Sequence, residues 1–217
     1  MKPYVILLHG LGKTSRSMSF LQQDLSRHFC VINVTYPSYS ATIEILAIQT
    51  IAKALKSIPN SAPVFFVTHS MGGILLRQYL KHYSIPNLSR VVMLGPPNQG
   101  SEVVNYMDLL GMPWITGPAG GQIGIYPDSI PAQLNNAPLD CELGIIAGTR
   151  TMNPLLSAFI LPGRNDGKVT VESTVLQGMK AHLTLPVTHP FMAFNKQVIF
   201  ESAHFLLNGH FSELTQK

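Results

Sequence analysis

Charge is scarce in this chain: Asp, Glu, Lys and Arg make up 12% of 217 residues, against 46% hydrophobic residues. That balance excludes a disordered chain, which lacks the apolar surface to offset its ordering entropy, and it suggests strands buried on both faces. Cysteine is nearly missing. Cys30 and Cys141 are too few for a disulfide framework, and each lies in apolar surroundings, where a small buried thiol is the ordinary reading. The 15 Lys and Arg against 11 Asp and Glu give a net charge of +4, but no two basic residues are adjacent. With no basic run to grip a phosphate backbone, nucleic acid is not an expected partner. No acidic cluster or other metal-ligating constellation is visible, so no metal and no cofactor are expected.

Long apolar runs are missing too. MKPYVILLHG at the start has one Lys, a short apolar core and no small-residue cleavage site behind it, which reads as a first strand and favours a cytoplasmic location. A long uncharged stretch, Leu109 to Pro127, is interrupted by Pro and Gly and reads as a loop-rich segment, so no transmembrane segment is expected.

What the chain does have is alternation. YVILLH (4–9), CVINVTYP (30–37), VFFVTH (64–69), RVVMLG (90–95), LGIIAGT (143–149) and AHLTLPV (181–187) carry buried-strand patterns. Helical periodicity separates several of them: Met18, Leu21 and Leu25; Ile48, Ile51, Ala52 and Leu55; and, from about Pro190, Phe191, Phe194 and Val198. Alternating strands and helices argue for an α/β fold, a doubly wound, mostly parallel sheet of about six strands with helices on both faces. One domain spanning 1–217 is expected, with an irregular, cap-like insertion at about 98–140, where Gly, Pro and Asn accumulate.

The stretch THSMGG (68–73) puts a serine where a buried strand hands over to a helix. A nucleophile elbow needs that tight strand-to-helix turn, small residues near it, and a helix behind it whose N-terminal dipole favours developing negative charge. Ser70 is the candidate nucleophile, and the Met71 amide is a candidate oxyanion donor. A plain helix N-cap serine is the competing reading, but it accounts for neither Gly72 nor the residues below. Thr68 departs from the usual glycine of G-x-S-x-G and should crowd the turn. HGLG (9–12) closes the first strand and places the Leu11 amide as the second oxyanion donor, with His9 bracing the loop.

A serine hydroxyl needs a base, and the base needs an orienting carboxylate. Among the other histidines only His189, in LPVTHPFM, directly follows a strand and precedes a helix; His69, by strand alternation, is expected to point elsewhere. Asp166 lies in the Asn-Asp-Gly turn of PGRNDGKVTVEST, giving the chain order Ser, Asp, His. Asp128 and Asp140 are weaker choices for the acid.

Together LLHGLG, VTHSMGG, LGPPNQGSE, NDGKVTVEST and VTHPFM resemble the α/β-hydrolase superfamily, and within it compact lipases and esterases. The resemblance spans nearly the whole chain. It implies a sheet lacking the N-terminal antiparallel hairpin of larger members, and a structural role for the loop carrying Asn98. It also implies cleavage of carboxylic esters through an acyl-enzyme, with a small acyl ester or lipid as substrate. The insertion would roof the site, with Trp114, Met107 and Leu110 as candidate substrate-binding residues. The same residues on the same fold also suit acyl transfer or thioester and amide cleavage, and a non-catalytic binding module is a further alternative. Oligomeric state is not legible.

Overall fold

The computed structural model describes residues 2–112 and 115–213. Six strands, β1 (Tyr4–Leu8), β2 (Cys30–Val34), β3 (Val64–His69), β4 (Leu88–Leu94), β5 (Glu142–Gly148) and β6 (Ala181–Leu185), form one sheet in the order β2-β1-β3-β4-β5-β6. Every neighbouring pair is parallel, which requires a crossover between successive strands.

Strand β1 shows why these runs carry no alternating polarity. Val5 and Leu7 pack on one face, Ile6 and Leu8 on the other, and all four are fully buried. Helices α1 (Ser19–Leu25) and α9 (Lys196–Asn208) cover the Val5 face through Leu21, Leu25, Val198 and Phe205. Helices α2 (Ile43–Leu55) and α3 (Met71–His82) cover the Ile6 face through Ile43, Leu46, Ile74 and Leu75. A sheet sandwiched in this way is hydrophobic throughout its strands.

Three expectations shift. In α2 the buried stripe is Ile43, Leu46, Ala47, Thr50, Ile51 and Ala54, and Ile48 is 42% exposed. The helix starts five residues before Ile48, so its stripe is centred on the Ile43 row. Before α9 lies a 3₁₀ turn, His189–Phe194, and α9 begins only after Asn195, whose side chain accepts from the amides of Gln197 and Val198. Phe191 and Phe194 belong to that turn and stay partly exposed, whereas Val198 is buried. The segment 98–140 is not irregular throughout: it holds short helices α4 (Glu102–Leu109), α5 (Gly117–Gly121) and α6 (Ile130–Gln133). Two more, α7 (Pro154–Ile160) and α8 (Val171–Thr174), lie between β5 and β6. Cys30 and Cys141 are free and only partly buried. Among the described residues no helix is long and apolar enough to cross a membrane, and no group of three metal-ligating side chains occurs.

Candidate active site

Ser70 sits between the end of β3 and the first residue of α3 with φ 54° and ψ −125°. For a residue with a Cβ this backbone is strained, and surrounding contacts must hold it there. The Ser70 amide donates to the Leu94 carbonyl at 2.9 Å, and the Ser70 carbonyl accepts from the Gly73 amide at 3.0 Å. Gly72 is demanded by close packing: a Cβ there would lie 2.6 Å from the Leu8 carbonyl oxygen. Thr68, by contrast, is a buried residue of β3 itself and stands ahead of the strained turn, which is why a β-branched side chain fits there.

Of the other sequence-assigned residues, Asp166 lies in a turn after α7 and His189 opens the 3₁₀ turn that follows β6. Asp166 is 1% exposed and His189 7% exposed, and His189 Nδ1 donates to Asp166 Oδ2 at 2.7 Å. Asp166 Oδ1 accepts from the amides of Lys168 and Val169 at 3.0 and 2.9 Å, and its main-chain carbonyl accepts from the His189 amide at 2.9 Å. Every one of these bonds fixes the carboxylate or the ring, and charge-assisted bonds in a dry environment are the strong ones. Gly95, at φ 52°, lets the β4 loop pass against this pair; a Cβ there would stand 3.0 Å from Asp166 Oδ2. Arg77 steadies the next stretch, donating to the Asn98 carbonyl and Oδ1 at 3.0 and 3.2 Å, while Asn98 Nδ2 donates to the Thr174 carbonyl at 2.7 Å.

Two further histidines are buried beside these residues. His9 stacks on Tyr36 with ring centroids 4.0 Å apart, its Nε2 accepts from the Tyr36 amide at 3.2 Å, and its Nδ1 bonds the Gly10 carbonyl at 2.9 Å. Only the neutral Nδ1–H form makes both bonds, and burial lowers the His9 pKa accordingly. The Tyr36 hydroxyl in turn donates to the His9 carbonyl.

His69 departs from expectation. It lines the same cavity as Ser70, its ring centroid is 4.8 Å from that of His189, and its Nε2 donates to the His189 carbonyl at 3.0 Å. Burial first, and then the nearby His189, push its pKa down to about 3. A neutral ring that donates from Nε2 carries no proton on Nδ1. Alternation along β3 missed this because His69 is the last residue of the strand, where the chain is already turning.

The cavity at the strand ends has a volume of about 350 Å³, and Leu11, His69, Ser70, Met107 and His189 are among the residues lining it. Met71, the first residue of α3, is fully buried behind Ser70, where helical amides lack intrahelical partners. Met107 of α4 thus reaches the cavity, but Leu110 does not line it and is 50% exposed at the helix end. Trp114 lies outside the described residues. Ile115, Thr116 and Ile123, which no motif singled out, also line it. A larger depression, about 810 Å³, lies away from this chemistry, around the end of α3 and α6.

A serine, an imidazole and a buried carboxylate have now been placed at the carboxyl edge of a parallel sheet. A model of the alpha/beta hydrolase family matches residues 5–196. The chain belongs to that family. Among solved structures, the mature lipase BlEst2 of Bacillus licheniformis is similar at 20% identity and TM-score 0.69, covering 95% of this chain and 90% of that one. Phospholipase PlaB of Legionella pneumophila is similar at 18% identity and TM-score 0.66, covering 87% of this chain and 53% of its own. The RedJ thioesterase of the Streptomyces coelicolor prodiginine pathway is similar at 17% identity and TM-score 0.60, covering 94% and 89%. A search of curated proteins gave no match. These structures share the fold, and membership of the alpha/beta hydrolase family supports hydrolase activity.

Proposed function

We propose that this protein cleaves carboxylic esters through an acyl-enzyme, with Ser70 as nucleophile, His189 as general base and acid, and Asp166 as the carboxylate that orients it. The observation that carries the reading is the buried His189–Asp166 pair, 2.7 Å between Nδ1 and Oδ2, with His189 lining the same cavity as a serine held in strained backbone. With Nδ1 committed to Asp166, Nε2 is the nitrogen left to take the Ser70 proton.

In this reading Ser70 Oγ attacks the ester carbonyl carbon as His189 accepts its proton. The carbonyl oxygen becomes an oxyanion held by the amides of Leu11 and Met71. The bond to the alcohol oxygen then breaks, and His189 returns the proton to the leaving alcohol. Water repeats the sequence on the acyl-enzyme and frees the carboxylic acid and the serine. Residues 1–217 act as one catalytic unit, and the segment 98–140 roofs the cavity through Met107, Ile115, Thr116 and Ile123.

The test is fluorophosphonate labelling mapped by mass spectrometry. We expect fast modification of Ser70, slowed by about 10³-fold or more in His189→Ala. A folded wild-type protein that leaves Ser70 unmodified would sink the reading.

A further inference from the structure

Resting on that reading, we propose that the natural substrate is an ester joining an apolar acyl chain to an alcohol that bears an anionic group, phosphate or carboxylate. The acyl arm lies in a second chamber, and the anion lies against Lys13 and Lys168.

The first support is the shape of the site. A second cavity, of about 270 Å³, adjoins the first; both are lined by Val103, Met107, Lys168 and Pro190. Beyond that common wall the second chamber is lined by Met152, Ile160 and Leu161 near α7, and by Thr151, Asn153, Ser157 and Asp166. A largely apolar chamber beside the serine cavity suits a hydrocarbon chain, whose burial is favourable in proportion to the area removed from water.

The second support is charge. The serine cavity is lined by Lys13 and Lys168 and by no Asp or Glu. Neither lysine takes part in an ion pair among the described residues. Lys13 follows the Leu11 loop, while Lys168 lines both chambers. His9 and His69 are held neutral by burial and add no charge. Asp166, which lines the second chamber and accepts from the Lys168 amide, is committed to His189, so two exposed ammonium groups outside any ion pair favour an anion on the substrate.

Hydrolysis breaks only the acyl C–O bond: water supplies OH to the acyl carbon and H to the alcohol oxygen. The products are a carboxylic acid and a free alcohol that keeps its anion.

The matched probes are 1-octanoylglycerol 3-phosphate and 1-octanoylglycerol, which present the same bond and acyl chain. In low salt we expect kcat/KM to favour the phosphate by about ten-fold, the size of two partly exposed charge contacts. That ratio should fall to about two-fold in the Lys13→Gln/Lys168→Gln double variant and in about 0.5 M salt. Lys53→Gln, on α2, should keep it. Running both esters below and above their aggregation concentrations identifies the source: a gain above it marks a lipid surface, equal rates mark a soluble ester, and the proposal stands in either case.

Binding of octyl phosphate and 1-octanol to Ser70→Ala, followed by calorimetry, reads the anion contact without turnover. Cleavage of both esters at equal rates would overturn this proposal and leave the hydrolase reading intact. Selective octyl phosphate binding with neither ester cleaved would retain the anion contact and overturn the hydrolase reading.

Discussion

At the strand ends, His9, His69, Asp166 and His189 are at most 7% exposed, and each is tied to backbone or to another side chain. On the two helices beside the cavity the pattern reverses: Leu109 of α4 is 81% exposed, and Leu155 and Phe159 of α7 are 79% and 89% exposed. Residues of one kind are locked by burial and hydrogen bonding, while those of the other are large, apolar and left without cover. The buried cluster cannot shift without breaking bonds in a dry environment, whereas the exposed helix faces can be exchanged cheaply.

This contrast should appear directly in substitutions. The largest effect is expected from Asp166→Asn, which keeps the shape but loses the carboxylate; ester turnover should fall by about 10³ to 10⁴-fold. Steady-state kinetics alongside circular dichroism would check it, and a loss under ten-fold would mean that the pair is only structural.

A smaller effect is expected from pH. His69 takes a proton near its ordinary value of 6.5 when unfolded but only near pH 3 when folded, so the unfolded chain binds more protons between those values. The stabilising contribution is therefore complete above about pH 6.5 and is lost as pH falls toward 3, by up to about ten-fold in the unfolding constant per pH unit. His9 and His182, both lowered by burial, act in the same direction. Urea unfolding from neutral to acid pH should show this slope, and His69→Gln should reduce it by about one proton; an unchanged slope would mean that His69 is already solvated.

The smallest effect belongs to the exposed helices. Leu155→Ser and Phe159→Ser should each change unfolding free energy by no more than about 0.5 kcal/mol. A loss of about 2 kcal/mol in urea titrations would show that α7 is packed in solution and would erase the contrast.

Much of this architecture was legible because parallel strands buried on both faces read as unbroken apolar runs, as in YVILL and VFFVTH. Ser70 and His189 could be singled out because each follows a strand, and Asp166 because it sits in an Asn-Asp-Gly turn ahead of the His189 strand. What escaped depended on where helices begin and how they pack. Ile48 and Phe191 carry the right residue type but fall off the buried stripe once α2 and α9 take their actual starts. The short helices of 98–140 escaped because Gly and Pro, which usually interrupt helices, here sit inside a five-residue one, Gly117–Gly121. His69 escaped because its partner, the His189 carbonyl, is 120 residues away.

That last separation bears on when the protein becomes competent. Strand β3, Ser70 and α3 are contiguous in the chain, and their turn can take shape as soon as β1 and β4 flank it. The Asp166–His189 pair waits for β6, the last strand in the chain and an edge of the sheet. A chain folded only through β5 would display a strained serine with no imidazole beside it. Under the proposed function, docking of that final strand is the step that arms Ser70, so a serine-directed label applied during refolding would report completion of the sheet and not its beginning.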